Sequence, residues 1–214
     1  MTFYSTSIGK KAVMAVTGLI LFGFVGMHLL GNLQVFQGPE KLNAYAVLLR
    51  KVPALLWLVR VVLLLTVLIH LVAGVQLKLQ SWRARGSRYQ RFTPVESTIA
   101  SRWMIWTGLM TAGFVTYHVL HLTLGVVVPG FEAHDVYRNV IVGFSLWPVS
   151  VSYIITMLLL GLHLSHGLHS MFQSVGWNHP RTERWRRAFA TGFAIILVAG
   201  NVSMPAAVLA GWIH

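Results

Sequence analysis

The sequence predicts an all-α integral membrane protein, a single membrane domain over 1–214 built as a bundle of five transmembrane helices. Two observations carry this prediction. The 214 residues are 56% hydrophobic and only 10% charged, whereas about 25% of the residues in soluble domains are charged. Several uncharged runs also reach the roughly 20 residues that a helix needs to cross a bilayer. The predicted helices span residues 8–36, 53–82, 98–128, 147–175 and 185–213.

Prolines and connecting segments set the limits of these helices. Pro53 and Pro148 stand at the starts of the second and fourth helices, where a missing backbone N–H is tolerated. Pro205 falls inside the fifth helix and is expected to kink it. The segment 35–52 is predicted to hold a short surface helix, and 130–147 to be irregular. No internal repeat is evident, which argues against an inverted-repeat transporter.

The formal net charge of +12 would suggest nucleic-acid binding in a soluble protein, but here the basic residues cluster at helix ends. Counted by the positive-inside rule, they place the N-terminus in the cytoplasm and the C-terminus outside, with the first helix retained rather than cleaved as a signal peptide. The basic residues have two interpretations. They reflect this topology alone, or they also form a cationic face for a cytoplasmic partner. The residues are Lys10, Lys11, Arg83, Arg85, Arg88, Arg91, Arg181, Arg184, Arg186 and Arg187.

Cysteine is absent. This excludes c-type haem attachment, thiolate-bound iron–sulfur clusters and cysteine zinc sites on this chain. The sequence also shows no glycine-rich phosphate loop and no nucleophile constellation. If the chain carries redox or ligand chemistry, histidine is the residue that provides it.

Histidines occur on each of the first four predicted helices, at two depths. With a rise of about 1.5 Å per residue, His28 and His118 lie nearer the outer ends of their helices, and His70 and His163 lie nearer the cytoplasm. Two stacked cofactors, each held between two helices, would need this arrangement. A haem iron with two imidazole ligands suits electron transfer. A proton relay, a metal path and ordinary interhelical packing are the alternatives.

The positions of two glycines indicate that there is space for a cofactor beside His70 and His163. Gly74 and Gly167 each follow one of them by four residues, on the same helix face one turn away. The spacing is less regular on the third helix, and it leaves both His118 and His121 as candidates for the ligand.

Four blocks of sequence resemble a known family. The N-terminal "SIGKKAVMAVTGLILFGFVGMHLLGNLQVFQGPEKLNAYA" is similar to the cytochrome b558-type membrane anchor of succinate dehydrogenases and fumarate reductases, in its single-chain, five-helix, two-haem form. The resemblance continues in "LIHLVAG", "SRWMIWTGLMTAGFVTYHVLHLTLG" and "LHLSHGLHSMF". The closest rival is the cytochrome b subunit of a membrane-bound hydrogenase or formate dehydrogenase, and the N-terminal block argues against it.

The resemblance implies two haem b groups. The outer haem would be held by His28 with His118, and the inner haem by His70 with His163. It also implies a flavoprotein subunit and an iron–sulfur subunit on the cytoplasmic face, with the dicarboxylate active site on another chain. Electrons would pass to a membrane quinone, expected to be menaquinone, in a bacterial cell (inner) membrane. No nucleic acid is expected as a partner, and a higher oligomer of the complex and the direction of the reaction are left open.

The other polar residues of the helices are candidates for contacts with a haem propionate or a quinone. Arg60, a cation about two turns inside the second predicted helix, is expected to neutralise an outer-haem propionate, with snorkelling to headgroups as the alternative. His121, His166 and His169 are assigned no role. Residues near the two membrane surfaces are the candidates for quinone contacts. The simpler interpretation of these residues is that they anchor the helices at the membrane surface. These are Ser7, Lys10, Trp82 and Arg83 on the inner side, and Asn32, Gln34 and Asn43 on the outer side.

Overall fold

A computed structural model describes residues 3–86, 98–128 and 130–214 of the chain. Arg88 and Arg91 of the predicted cationic face lie outside these residues. All the regular structure described is helical. In this part of the chain seven α-helices follow one another: α1 Ser7–Asn32, α2 Pro39–Arg50, α3 Pro53–Arg83, α4 Ile99–His118, α5 Val136–Ser145, α6 Trp147–Ser174 and α7 Pro180–Leu209.

Capping residues fix several helix starts. The Thr6 side chain accepts a hydrogen bond from the Gly9 N–H at 3.0 Å and begins α1. Thr98 caps α4 in the same way, since threonine oxygens satisfy the free amide groups of a first turn. A short 3-10 segment, Phe3–Ser5, precedes α1, and another, Leu33–Gln37, extends it. The short helix expected in 35–52 is present as α2.

The third predicted membrane helix ends earlier than expected, at residue 123 instead of 128. After α4 the chain makes one π-helical turn, Val119–Thr123. Gly125 then takes a φ of 66°, a left-handed conformation that glycine adopts without steric cost and that ends helices.

The segment 130–147 was predicted to be irregular, and this prediction was wrong. It contains α5, whose first turn is capped by Asp135 accepting from the Arg138 N–H at 3.0 Å. Asn43 of α2 donates to the same carboxylate at 3.0 Å and accepts from the Tyr137 N–H at 3.0 Å. These bonds join the two short helices at one end of the bundle.

The last helix is shifted toward the N-terminus relative to the predicted 185–213. It starts at Pro180, in the first turn, with the His179 side chain as cap. It ends at Leu209, before Gly211 at φ 71°. The predicted helix starts too late because the first turns of α7 are charged. It ends too late because the residues after Leu209 are mostly apolar. The helix continues through Pro205.

Among the described residues, four helical segments are long and apolar enough to cross a membrane, by length and composition only: Ser7–Gln37, Pro53–Arg83, Trp147–Ser174 and Pro180–Leu209. Helix α4 is not among them, although its 20 residues give it the length. Its threonines, tryptophans and Arg102 make it more polar than its neighbours. The fifth span and the orientation of the termini stay predictions.

The chain contains an internal repeat, so the expectation that it has none was wrong. The α1 segment "MAVTGLILFGFVGMHLL" and the α4 segment "MIWTGLMTAGFVTYHVL" share the pattern M-x-x-T-G-L-x-x-x-G-F-V-x-x-H-x-L. Each segment is followed by a short helix and then by a long helix with an H-x-x-x-G motif. The chain is therefore built from two similar halves, α1–α3 and α4–α6, followed by α7.

Helix packing follows this division. Within each half the two long helices contact each other, α1 with α3 and α4 with α6, and the halves meet through α1 with α6 and α3 with α4. Helix α7 has no counterpart in the repeat and packs mainly against α6. The interior between the four repeated helices is where the predicted histidines lie.

Candidate cofactor sites formed by two histidine pairs

The structure brings His70 of α3 opposite His163 of α6. Their ring centroids are 6.4 Å apart and their planes are inclined by 63°. Neither side chain is sealed in the protein, since both residues are only partly buried. We call these two residues the inner pair, after the depth at which the sequence predicts them.

His28 of α1 lies opposite His118 of α4 in the same way, and we call these two residues the outer pair. Their ring centroids are 5.7 Å apart with planes nearly perpendicular, at 89°. Phe24 stacks on His28 at 5.2 Å, and its repeat equivalent Phe114 stacks on His118 at 6.0 Å. Each pair therefore takes one histidine from each half of the chain.

The spacing of both pairs fits a metal ion bound between two imidazoles. Metal–imidazole bonds of about 2 Å on opposite sides of a metal put the ring centres roughly 6 Å apart. Within the described residues, no group of three or more His, Cys, Asp or Glu side chains is placed to hold a metal ion. A haem iron is held by one or two protein ligands, whereas a bare zinc ion takes three or four. The donor set therefore fits haem.

Hydrogen bonds hold three of the four imidazoles. Thr17 Oγ1 lies 2.9 Å from His70 Nδ1, and Thr107 Oγ1 lies 3.3 Å from His163 Nδ1. In the outer pair, the Tyr153 hydroxyl lies 3.2 Å from His118 Nδ1. Thr17, Thr107 and Tyr153 were not singled out from the sequence, because a hydroxyl inside a membrane helix shows its partner only once the helices are packed.

Burial separates His118 from His121, the two candidates on the third predicted helix. His121 is 1% exposed. Its Nδ1 lies 2.8 Å from the Tyr153 hydroxyl, and its ring stacks on Tyr117 at 5.4 Å. The ring packs so closely on Gly143 that a Cβ there would lie 2.8 Å from it. His121 is thus enclosed behind the ring that faces His28.

The two glycines of the H-x-x-x-G motif occupy equivalent places in the two halves. A Cβ on Gly74 would lie 3.6 Å from the Met14 side chain, and a Cβ on Gly167 would lie 3.4 Å from that of Met104. These are ordinary contacts with flexible side-chain ends. The role of both glycines in making room for a cofactor stays a prediction.

Arg60 is exposed on α3. Its guanidinium lies 5.1 Å from the centre of the Trp57 ring, and that ring is itself 62% exposed. A cation stacked on an accessible tryptophan is typical of a membrane interface. This position favours the snorkelling alternative over the propionate role.

The C-terminal end of α6 is joined to the start of α7 by a charged network. His169 Nε2 lies 3.0 Å from Glu183 Oε1, which also accepts a hydrogen bond from Arg187. The other carboxylate oxygen of Glu183 accepts a hydrogen bond from Arg186 at 2.7 Å. Arg186 is fully buried, so it does not belong to the exposed cationic face expected from the sequence. His169 thus has a structural partner, while His166 is only partly buried.

A polar cavity of about 360 Å³ lies at the same end of the bundle, between the start of α1 and the end of α3. It brings together Lys10 and Arg83 of the expected inner quinone contacts, whereas Ser7 and Trp82 do not line it. On the outer side, Asn43 is engaged by α5. The cavity is lined by Tyr4, Ser5, Lys10, Gln76, Leu79, Gln80 and Arg83.

Comparison with known proteins gives one family. A family model for the succinate dehydrogenase/fumarate reductase transmembrane subunit matches residues 80–201, more than half of the chain. No curated protein and no solved structure matches the chain significantly. The matched part carries His118 and His163, and the internal repeat relates it to the half that carries His28 and His70. The match confirms the family expected from the sequence and favours it over the hydrogenase alternative.

The length and apolar character of the helices agree with this family assignment. The chain is a multi-pass membrane protein and belongs to the succinate dehydrogenase/fumarate reductase transmembrane subunit family.

Proposed function

We propose that the chain is the cytochrome b anchor of a succinate:quinone oxidoreductase, with two bound haem b groups. The observation that carries the proposal is the presence of two facing histidine pairs, at 5.7 and 6.4 Å between ring centres, each drawn from both halves of the chain. His28 and His118 would hold the outer haem, and His70 and His163 the inner one. Each haem would supply an iron that accepts and releases one electron.

The protein side chains would provide the positions and surroundings of the two haems. The four imidazoles fix where the two metal centres lie, and Phe24 and Phe114 pack against the outer rings. Inside a membrane the histidines would lie away from bulk water, in an apolar setting where only their neutral form is inexpensive. Neutral imidazole is also the form that binds a metal.

The partners follow from the family and from the charge distribution. We propose that a flavoprotein and an iron–sulfur subunit dock at the cytoplasmic end, where Arg83, Arg181, Arg184 and Arg187 are exposed. Electrons would pass between the iron–sulfur subunit and a membrane quinone, with menaquinone as the expected type. The cavity that includes Lys10 and Arg83 falls within the size range of small-molecule pockets. The location would be a bacterial inner membrane.

Single histidine substitutions in the assembled complex test the proposal. Alanine at His70 or His163 should remove one of two redox components seen in a potentiometric titration of the visible haem bands. Alanine at His28 or His118 should remove the other. His134→Ala, at an exposed position outside the membrane helices, is the control and should leave both.

The grouping of the results is the decisive feature of this test. If His70→Ala and His28→Ala removed the same component, the proposed pairing would be wrong. If all four variants kept both components in a correctly assembled complex, the histidine pairs would not be haem ligands.

A further inference from the structure

We infer that Thr17 and Thr107 are positioning residues that set the tautomer and orientation of the inner histidine pair, by accepting a hydrogen bond from Nδ1–H and leaving Nε2 free to bind iron. The inference rests on the proposed function. It concerns two residues that lie outside the H-x-x-x-G motifs and hold the ligands from neighbouring helices. Thr17 is 7% exposed and Thr107 is 1% exposed.

The direction of the first hydrogen bond follows from the single hydrogen of a hydroxyl group. Thr17 Oγ1 donates to the Val13 carbonyl at 2.7 Å, within its own helix. A carbonyl oxygen can only accept, and its contact with Oγ1 is shorter than that of His70 Nδ1, which lies 2.9 Å from the same Oγ1. The geometry therefore favours the hydroxyl hydrogen on the carbonyl side, which leaves an oxygen lone pair facing Nδ1. This arrangement favours the tautomer of His70 that carries its hydrogen on Nδ1.

The second half repeats this arrangement. Thr107 Oγ1 is 3.1 Å from each of the Trp103 and Met104 carbonyls, and 3.3 Å from His163 Nδ1. With its hydrogen directed to these carbonyls, the Thr107 hydroxyl presents lone pairs to the ring and favours hydrogen on Nδ1 of His163. Because the Thr107–His163 contact is longer than the Thr17–His70 contact, His163 should depend less on its threonine than His70 does.

A glycine follows each threonine and faces the same ring. A Cβ on Gly108 would lie 3.1 Å from His163 Cε1, which is tighter than usual, whereas a Cβ on Gly18 would lie 3.4 Å from His70 Cε1, an ordinary contact. The Thr-Gly pair therefore forms a small cradle in which the hydroxyl holds the ring and the glycine lies against it. The cradle occurs in both halves at equivalent positions, on the helix that neighbours the ligand.

The functional consequence concerns the metal-bound form of each ring. Once Nδ1 carries the hydrogen, the Nε2 lone pair is the one available to the iron. Partners of the second ring nitrogen orient a ligating imidazole and raise its basicity, and their loss typically costs 10- to 100-fold in metal affinity or activity. A more basic imidazole favours ferric over ferrous iron, so the two threonines should lower the reduction potential of the inner haem.

The test is a potentiometric titration of the purified complex with Thr17→Val or Thr107→Val, which keep the side-chain shape and remove the hydroxyl. We expect the inner-haem potential to rise and the outer-haem potential to stay. Thr17→Val should change the ferric-to-ferrous preference by about tenfold, equivalent to about 59 mV for one electron, and Thr107→Val should change it less. The inner signal is identified as the one that His70→Ala removes.

Two further variants separate the hydroxyl from packing. Serine at either position keeps the hydroxyl and should restore the wild-type potential. Thr116→Val is the matched control, because Thr116 also donates to its own helix, at 3.2 Å from the Ala112 carbonyl, but lies exposed on α4. It should leave both potentials unchanged.

The outcomes distinguish this inference from the proposed function. Two haems with an unchanged inner potential in both valine variants would overturn the role of the threonines while leaving the haem assignment intact. Loss of the inner haem in the valine variants, with retention in the serine variants, would support the role. A folded wild-type complex without haem would overturn both proposals together.

Discussion

At the scale of single residues, the surroundings of each histidine decide what it can do. Three histidines of similar appearance occur near the ends of α4 and α6, but His121 is enclosed, His169 is paired with Glu183, and His118 faces His28. An ionisable residue inside a membrane needs a partner. For His121 the partner is a tyrosine hydroxyl, which makes it a packing residue.

His121→Ala should keep both haems and destabilise the fold. The substitution leaves a cavity and removes the closer of the two imidazole partners of the Tyr153 hydroxyl, so that only His118 Nδ1 stays within hydrogen-bond distance; a lost hydrogen bond alone costs about 0.5–1.5 kcal/mol. Haem content and thermal unfolding in detergent, measured on the same sample, check this. If His121→Ala lost a haem while His118→Ala kept both, the ligand assignment on this helix would have to be reversed.

Asp135 gives the fold a dependence on acid pH. The Arg138 N–H and the Asn43 side chain donate to its carboxylate and hold the pKa of Asp135 below its ordinary value. Its contribution to stability is therefore present above the unfolded-state pKa of about 4 and is lost as the pH falls through the lower folded-state value.

Asp135→Asn isolates this effect, because asparagine also caps helices but carries no charge. Wild-type protein should unfold at a higher temperature than the variant near neutral pH, and the two should converge as the pH falls below 4. A difference in melting temperature that is constant over this range would show that the carboxylate charge contributes nothing.

At the scale of helices, the sequence predicts the long elements well because their apolar runs must match the thickness of a membrane. It fails at the ends and in the short elements. Helix α5 has only ten residues, and its capping bonds connect it to α2, distant in sequence. The π turn after α4 likewise depends on local packing. Hydropathy carries no information on either feature.

The contact between α6 and α7 depends on a glycine. A Cβ on Gly161 would lie 2.5 Å from Val198 Cγ2, and valine, being branched at Cβ, cannot easily turn aside. Gly161→Ala should therefore destabilise the fold by about 1–3 kcal/mol, as overpacking does. The measurement is the free energy of unfolding, or the melting temperature where unfolding is irreversible.

Gly192→Ala is the matched control on α7, since a Cβ there would meet nothing within 4 Å. Alanine is favoured over glycine in a helix by up to about 1 kcal/mol, so this variant should be neutral or slightly stabilised. Equal effects of the two substitutions would indicate that close packing at Gly161 does not hold α6 and α7 together.

At the scale of the whole molecule, the repeat explains why the histidines form pairs. Each half supplies one outer and one inner histidine, so both sites are completed only when the halves meet. The sequence predicts the pairing His28–His118 and His70–His163 from depth along the helices, and the family resemblance agrees with it. The threonine cradles cannot be predicted from the sequence, because Thr17 and His70 are 53 positions apart and only helix packing brings them together.

The most direct test of the central claim is the number of haem b groups per chain, measured by pyridine haemochrome on the purified, folded protein. The two histidine pairs predict two haems per chain. Protein that is folded and contains no haem would contradict the account, and the paired histidines would then have to serve a proton path or interhelical packing.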